Sequence, residues 1–250
     1  MPTFGIIAEG ITDQIVLENI LCGYLGDQDE DPVVNYVQPP FDATSQGGGF
    51  APGGWSLVFK SLEAGDHRKA LQSNNYIVIQ IDTDVSEEKG FDVSRREDGR
   101  ELTLEELVDR VVSRLKKAMG LDFCTKYQDC IIFAVAVNQM ECWLLPLFEN
   151  DKAEKITGCL KTMNDERSKR NKRPLSAQGQ RGDRKEPRSY EDASRPYANR
   201  RTLMKVYARN PSLKLFIERL DAMNLRAAIP PSEPPAGNVP SAGDPPASTS

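Results

Sequence analysis

Short apolar runs alternate with amphipathic stretches through the first part of the chain. Residues 4–8, 76–81 and 130–137 are almost wholly apolar, and a shorter run covers 33–37. Runs of this length are typical of strands buried on both faces of a sheet. Apolar residues three and four positions apart in the intervening stretches are typical of helices with one buried face. The pattern therefore predicts an α/β fold, with a mostly parallel sheet flanked by helices.

Capping residues indicate where some of these helices begin. Thr12 is predicted to cap a helix that buries residues such as Val16 and Ile20. Residues 103–106, Thr-Leu-Glu-Glu, form a capping-box sequence ahead of another amphipathic stretch. The pattern predicts two more helices, from Ser56 to about Leu71 and from about Ser212 to Met223.

The composition changes along the chain and suggests three parts. Residues 46–54 are rich in glycine, but their spacing matches neither a P-loop nor a dinucleotide fingerprint, so a flexible loop is favoured over a phosphate cradle. Residues 229–250 hold seven of the 17 prolines, which favours a disordered tail. We therefore expect an α/β domain over 1–150, a basic segment with a C-terminal helix over 151–228, and a tail over 229–250.

Charge is unevenly distributed. The net charge is −5, yet the stretch from Arg167 to Lys205 contains thirteen Lys and Arg against four Asp and Glu. A segment of this kind favours contact with a polyanion such as nucleic acid, because neutralised phosphates release counterions. A solvated insertion that binds no partner is the alternative.

Acidic residues follow the three main apolar runs. Glu9, with Asp13 beyond it, follows the first run, Asp82 and Asp84 follow the second, and Glu141 follows the third. The carboxyl ends of parallel strands meet at one edge of a sheet, so these carboxylates should converge. Carboxylates crowded together repel one another unless a cation holds them, and oxygen ligands suit Mg²⁺ or Mn²⁺. The pattern thus predicts a divalent-metal site.

Several other classes of site are disfavoured. The five cysteines lack zinc-binding spacing, and we expect most of them to be reduced core thiols. His67 is the only histidine and reads as a helix-surface or turn residue, which disfavours Ser-His-Asp and Cys-His catalysis. No long apolar segment or signal-like N-terminus is evident, so we expect a cytoplasmic protein that does not enter a membrane.

The motifs together resemble the Toprim domain of topoisomerases, primases and OLD-type nucleases. The resemblance rests on Glu9-Gly10 after the first strand, the Thr12-Asp13 helix start, and Asp82-Thr83-Asp84 after a later strand. Residues 53–55, Gly-Gly-Trp, and 141–145, Glu-Cys-Trp-Leu-Leu, look like those of stand-alone Toprim-like proteins of prokaryotic anti-phage defence loci. It covers roughly residues 3–150 and, more weakly, 197–222, and implies a Rossmann-like Toprim fold.

The resemblance also implies a function. In that family the matching acids hold divalent metal and act on phosphodiesters, which carries over to Glu9, Asp82 and Asp84, with Glu141 as a further metal-site acid and Asp13 as a weaker candidate. Lys205 is our choice for neutralising a phosphate. Primases of this superfamily normally bring a zinc module and topoisomerases a tyrosine-bearing domain, and this sequence shows neither. The resemblance therefore implies a nuclease that acts on DNA or RNA in antiviral defence. A neighbouring ABC-type or SMC-like ATPase would control it, and homo-oligomerisation is left open.

Two other functional classes compete with a nuclease. A haloacid-dehalogenase-like phosphatase would use Asp82 as nucleophile and Asp84 as general acid, although that motif usually begins its fold and here a complete strand–helix unit precedes it. A non-catalytic sensor or binding subunit of an ATPase complex would use the acids only structurally.

Overall fold

The computed structural model describes residues 1–26, 31–40, 53–148, 153–179, 182–223 and 225. The glycine-rich residues 46–52 and the predicted tail, 229–250, lie outside these ranges. Within the described ranges, no helix is long and apolar enough to span a membrane.

The strands are β1 (Thr3–Ile7), β2 (Val33–Gln38), β3 (Tyr76–Asp82), β4 (Arg96–Glu97), β5 (Arg100–Glu101), β6 (Ile131–Ala136), β7 (Ser176–Gly179) and β8 (Gly182–Lys185). Four of them form a parallel sheet at the centre, in the strand order β2-β1-β3-β6. Two short antiparallel hairpins, β4-β5 and β7-β8, lie outside it. The predicted α/β class and parallel sheet are confirmed, and the arrangement is consistent with a Rossmann-like fold.

Helices cover both faces of this sheet. The helices are α1 (Ile11–Leu25), α2 (Trp55–Glu63), α3 (Asp66–Ala70), α4 (Leu104–Met119), α5 (Leu121–Lys126), α6 (Glu141–Leu144), α7 (Cys159–Lys169), α8 (Pro187–Ser194), α9 (Arg200–Val206) and α10 (Pro211–Ala222). Successive side chains of β3 point to opposite faces, so Val78 packs with α1 and α10 whereas Ile77 and Ile79 pack with α2 and α4.

Two predicted helix boundaries are wrong, and one is confirmed. Gly10, not Thr12, is the N-cap of α1, and Thr12 is buried inside the helix. The helix expected from 56 to 71 is broken into α2 and α3 at Gly65, whose φ of 78° is a left-handed value that glycine adopts readily. The capping box of α4 forms as predicted: Thr103 accepts from the Glu106 N–H, and the Glu106 side chain accepts from the Thr103 N–H.

The segment after residue 150 packs into the same core as the sheet. Trp143 stacks on Phe216 of α10, with ring centroids 5.2 Å apart, and its indole N–H donates to Ser212 Oγ at 2.6 Å. The hydroxyl of Tyr197 donates to the Trp143 carbonyl. The division near residue 150 stays a prediction, but side chains from both sides of it share one apolar cluster.

The expectation that most cysteines are reduced is confirmed for three of the five, whereas the expectation about histidine is wrong. Cys142 and Cys159 form a disulfide that joins α6 to α7, whereas Cys22, Cys124 and Cys130 are free thiols. His67 is buried, not exposed, and packs edge-on against Phe123. The local sequence around His67 is polar and hid this burial, because the covering residue comes from a distant part of the chain.

Candidate functional site

Glu9 and Asp82, two of the predicted acids, are in contact at the carboxyl ends of β1 and β3. Glu9 lies two residues beyond β1, and Asp82 is the last residue of β3. The backbone N–H of Asp82 donates to Glu9 Oε1 at 2.7 Å. Because β1 and β3 are parallel neighbours, both residues lie at the same sheet edge, where the sequence pattern predicted them.

Gln80 holds these two acids at a fixed spacing. Its Oε1 accepts from the Glu9 N–H at 3.1 Å, and its Nε2 donates to Asp82 Oδ1 at 2.8 Å. The side chain is fully buried. We did not single out Gln80 from the sequence, although an amide inside an apolar strand is itself a signal, since a buried polar group requires partners.

Hydrogen bonds also join the loops that follow β3 and β6. The hydroxyl of Thr83 accepts from the Asn138 N–H at 2.8 Å, and the guanidinium of Arg95 donates to Asn138 Oδ1 at 2.8 Å. Asp84 is exposed in the first of these loops and accepts from Gln139 Nε2 at 3.2 Å. The network holds the segment with Asp84 against the one that leads to α6.

Two glycines bring the start of α2 against Glu9. The N–H of Gly54 donates to the Glu9 carbonyl at 2.7 Å. A Cβ at Gly53 would lie 2.4 Å from that same carbonyl oxygen, so only glycine fits there without displacement. The Gly-Gly-Trp sequence therefore has a local steric reason at this edge of the sheet.

Asp13 and Glu141 share a different cation, Lys185. Lys185 Nζ lies 2.8 Å from Glu141 Oε1 and 4.0 Å from Asp13 Oδ1. The hydroxyl of Tyr190 also donates to Glu141 Oε1. Asp13 and Glu141 are almost completely buried, and Asp13 Oδ1 has no hydrogen-bond partner among the described residues. Of the five predicted acids, Glu9 and Asp82 are thus in contact with each other, whereas Asp13 and Glu141 face a lysine.

The pKa values of Glu9 and Asp82 are shifted in the opposite direction to that of Glu141. Burial raises the pKa of Glu9 to about 8, with repulsion from Asp13 and Asp84 acting in the same direction. Burial, and then repulsion from Glu9, raise the pKa of Asp82 well above its ordinary value. Burial would raise that of Glu141 too, but attraction to Lys185 and hydrogen bonds from Lys185 and Tyr190 bring its pKa below the ordinary value.

Burial also raises the pKa of Asp13, to about 6, although Lys185 opposes the rise. For Lys185, burial alone would lower the pKa, but Asp13 and Glu141 raise it well above the ordinary value. The lysine is therefore charged, and it compensates the Asp13–Glu141 side of the cluster more fully than the Glu9–Asp82 side.

Lys205 is not the cation that pairs with Asp13 and Glu141. It is exposed on α9 and lines a groove with Phe148, Pro196 and Arg201. The cation beside the carboxylates is Lys185, at the end of the β7-β8 hairpin. Lys185 is one of thirteen basic residues in its segment, and it is far from Asp13 along the chain. No local sequence pattern therefore indicated that it would pair with Asp13 and Glu141.

Much of the basic segment is neutralised within the protein. Arg167 is buried and pairs with Asp192 at 3.2 Å. Lys169 and Arg170 both pair with Glu166. The excess of positive charge counted along the sequence therefore overstates what these side chains offer to a polyanion.

The donor chemistry at the Glu9–Asp82–Asp84 side suits a hard divalent ion, but the side chains are not arranged around one. Among the described residues, no group of three or more His, Cys, Asp or Glu is placed to hold a metal ion. Glu9 Oε1 is engaged by the Asp82 N–H, and Asp82 Oδ1 by Gln80. Each carboxylate has a second oxygen, and carboxylate oxygens are ligands that Mg²⁺ and Mn²⁺ prefer.

Comparison with protein-family models, curated proteins and solved structures gave no match. The resemblance to Toprim-like nucleases therefore rests on the sequence motifs alone, and the roles assigned to the five acids and to Lys205 stay predictions.

Proposed function

We propose that this protein is a divalent-metal-dependent nuclease that hydrolyses phosphodiester bonds in DNA or RNA. The observation that carries the proposal is the contact between Glu9 and Asp82 at one edge of a parallel sheet, with Asp84 two residues beyond Asp82. Open parallel sheets bind their ligands at this edge. Crowded, buried carboxylates with raised pKa values are also typical of functional sites.

Different residues would bind the metal ion, position the metal ligands and contact the substrate. Glu9, Asp82 and Asp84 would hold Mg²⁺ or Mn²⁺, and Gln80 would keep the first two at their spacing. When bound, such an ion supplies positive charge for the scissile phosphate. Lys205 and Arg201, both exposed on α9, are candidates for contacting phosphates farther along the substrate.

The resemblance supports further proposals about context. It points to a role in anti-phage defence and to control by an ABC-type or SMC-like ATPase. The chain has no Walker-A sequence of its own, which fits an ATPase supplied by a partner.

The test is cleavage of DNA and RNA by the purified protein with Mg²⁺ or Mn²⁺, with and without the candidate ATPase. Asp82→Asn and Glu9→Gln should each lower metal-dependent cleavage at least about 100-fold, since each removes a charged ligand. Asp129→Asn is the matched control, because Asp129 is an exposed carboxylate at the amino end of β6, opposite the site. Its activity should equal that of the wild type.

Full cleavage by Asp82→Asn would contradict the proposal. An acyl-phosphate trapped at Asp82 by borohydride would instead support a phosphatase. Metal binding without cleavage of any nucleic acid, with the ATPase present, would support a non-catalytic subunit.

A further inference from the structure

We infer that Lys185 occupies a second cation position, between Asp13 and Glu141, and so confines a divalent ion to the Glu9–Asp82–Asp84 side of the cluster. This inference deepens the proposed function and rests on it for the identity of the first ion. Without the lysine, Asp13 and Glu141 would form a site for one further Mg²⁺ or Mn²⁺.

The geometry around Lys185 is that of a bound cation. Its ammonium contacts Glu141 Oε1 at 2.8 Å and approaches Asp13 Oδ1 at 4.0 Å. Asp13 is only 2% exposed, and its Oδ1 has no hydrogen-bond partner in the described part of the chain. A buried carboxylate oxygen without a donor is costly unless a positive charge faces it, and Lys185 supplies that charge.

Tyr190 supports the same assignment. Its hydroxyl donates to the Glu141 oxygen that Lys185 contacts, so that oxygen is held by two donors from residues five positions apart. The lysine ammonium also lies 5.7 Å from the centre of the Tyr190 ring. Glu141 is therefore anchored by the chain itself and needs no metal to fix its position.

Lys185 reaches this place from the end of a hairpin, with part of its side chain in solvent. It is the last residue of β8, and 38% of its side chain is exposed. A lysine ammonium is a compact, strongly hydrated point charge on a flexible stem, so it can substitute for a metal ion among carboxylates. The two cations therefore exclude each other by charge and by space.

The test counts bound Mn²⁺ by electron paramagnetic resonance during titration of the full-length protein. Lys185→Met should bind one more Mn²⁺ per chain than the wild type, whereas Lys185→Arg, which keeps the charge, should bind the same number. The additional ion should persist in Lys185→Met/Asp82→Asn and be lost in Lys185→Met/Glu141→Gln, which locates it. Equal numbers of bound Mn²⁺ for Lys185→Met and the wild type would overturn the inference.

A folding measurement covers the case in which Lys185→Met is unstable without metal. Saturating Mn²⁺ should then restore its circular dichroism spectrum to that of the wild type, because the ion takes the place of the ammonium. A variant that stays unfolded in Mn²⁺ would overturn the inference.

The two proposals fail separately. A wild-type protein that binds no Mn²⁺, beside a Lys185→Met variant that binds one, would remove the metal from the proposed function and leave the Lys185 assignment standing. One bound Mn²⁺ in both proteins would leave the metal in the proposed function and overturn the Lys185 assignment.

Discussion

At the scale of single residues, the candidate site depends on side chains that the sequence pattern alone did not select. Glu9 and Asp82 were predictable because each follows a buried apolar run, and parallel strands end at one edge. Gln80 and Lys185 were not, because their partners come from other strands or from the distant β7-β8 hairpin. Local pattern reports which residues end a strand but not which polar groups will meet there.

Replacing Gln80 tests how far the site is prearranged. Gln80→Leu should lower the free energy of unfolding by about 2 to 4 kcal/mol, since it leaves the part-buried Glu9 N–H and the buried Asp82 Oδ1 without their partners. It should also weaken metal binding, because Glu9 and Asp82 lose their fixed spacing. Urea unfolding and Mn²⁺ titration measure the two effects.

Gln128→Leu is the control, at an exposed position outside the site, and should change stability by less than about 0.5 kcal/mol. Equal stability of the two variants would show that Gln80 does not hold the acids in place.

At the scale of secondary-structure elements, the basic segment is not one surface. The sequence showed its charge correctly but could not show its ion pairs, because Asp192 is twenty-five residues from Arg167 in the chain and reaches it only after α7 and α8 fold. The charge pattern predicted a polyanion contact throughout this segment. The structure indicates that Arg167 serves the packing of α7 against α8 instead.

Two arginines in this segment should behave differently although they carry the same charge. Arg167→Met should destabilise the protein by about 2 kcal/mol, because it breaks a pair that is buried on the arginine side and half-exposed on the Asp192 side. It also loses the hydrogen bond that the Arg167 side chain donates to the Arg173 carbonyl.

Arg173→Met removes an exposed side chain and keeps that carbonyl, so its stability should change by less than about 0.5 kcal/mol. Thermal and urea unfolding of both variants make the comparison. Equal destabilisation would mean that net charge, rather than the buried pair, governs the stability of this segment.

At the scale of the whole molecule, the parallel sheet was predictable and the role of the C-terminal helices was not. Continuous apolar runs and helical periodicity identified β1, β3, β6 and α4. The packing of α1 against α8 and α9 depends on contacts between residues far apart in sequence. No local sequence pattern encodes such contacts, so the segment beyond residue 150 was predicted to be a separate part of the chain.

Gly23 lies where α1 packs closely against the turn before α9. A Cβ at this position would lie 1.8 Å from the Tyr197 carbonyl oxygen, so the backbone of α1 touches the turn before α9 directly. Gly23→Ala should therefore cost about 3 kcal/mol or more, despite the better helix propensity of alanine.

Cys22→Ala, at the neighbouring, half-buried position of α1, is the control and should cost less. Differential scanning calorimetry gives the comparison. A Gly23→Ala variant as stable as the wild type would mean that α1 and the C-terminal helices can separate without loss.

The close fit at α1 also has a consequence for how the chain acquires its structure. The guanidinium of Arg200 donates to the carbonyl of Tyr24, a contact between residues 176 positions apart. As the ribosome releases the chain, α1 emerges well before α8 and α9, which pack against it. Contacts of such long range slow folding because the intervening loop must close first. Completion of the core therefore waits until α8 and α9 have been synthesised, and before then α1 lacks the helices that pack against it in the folded protein.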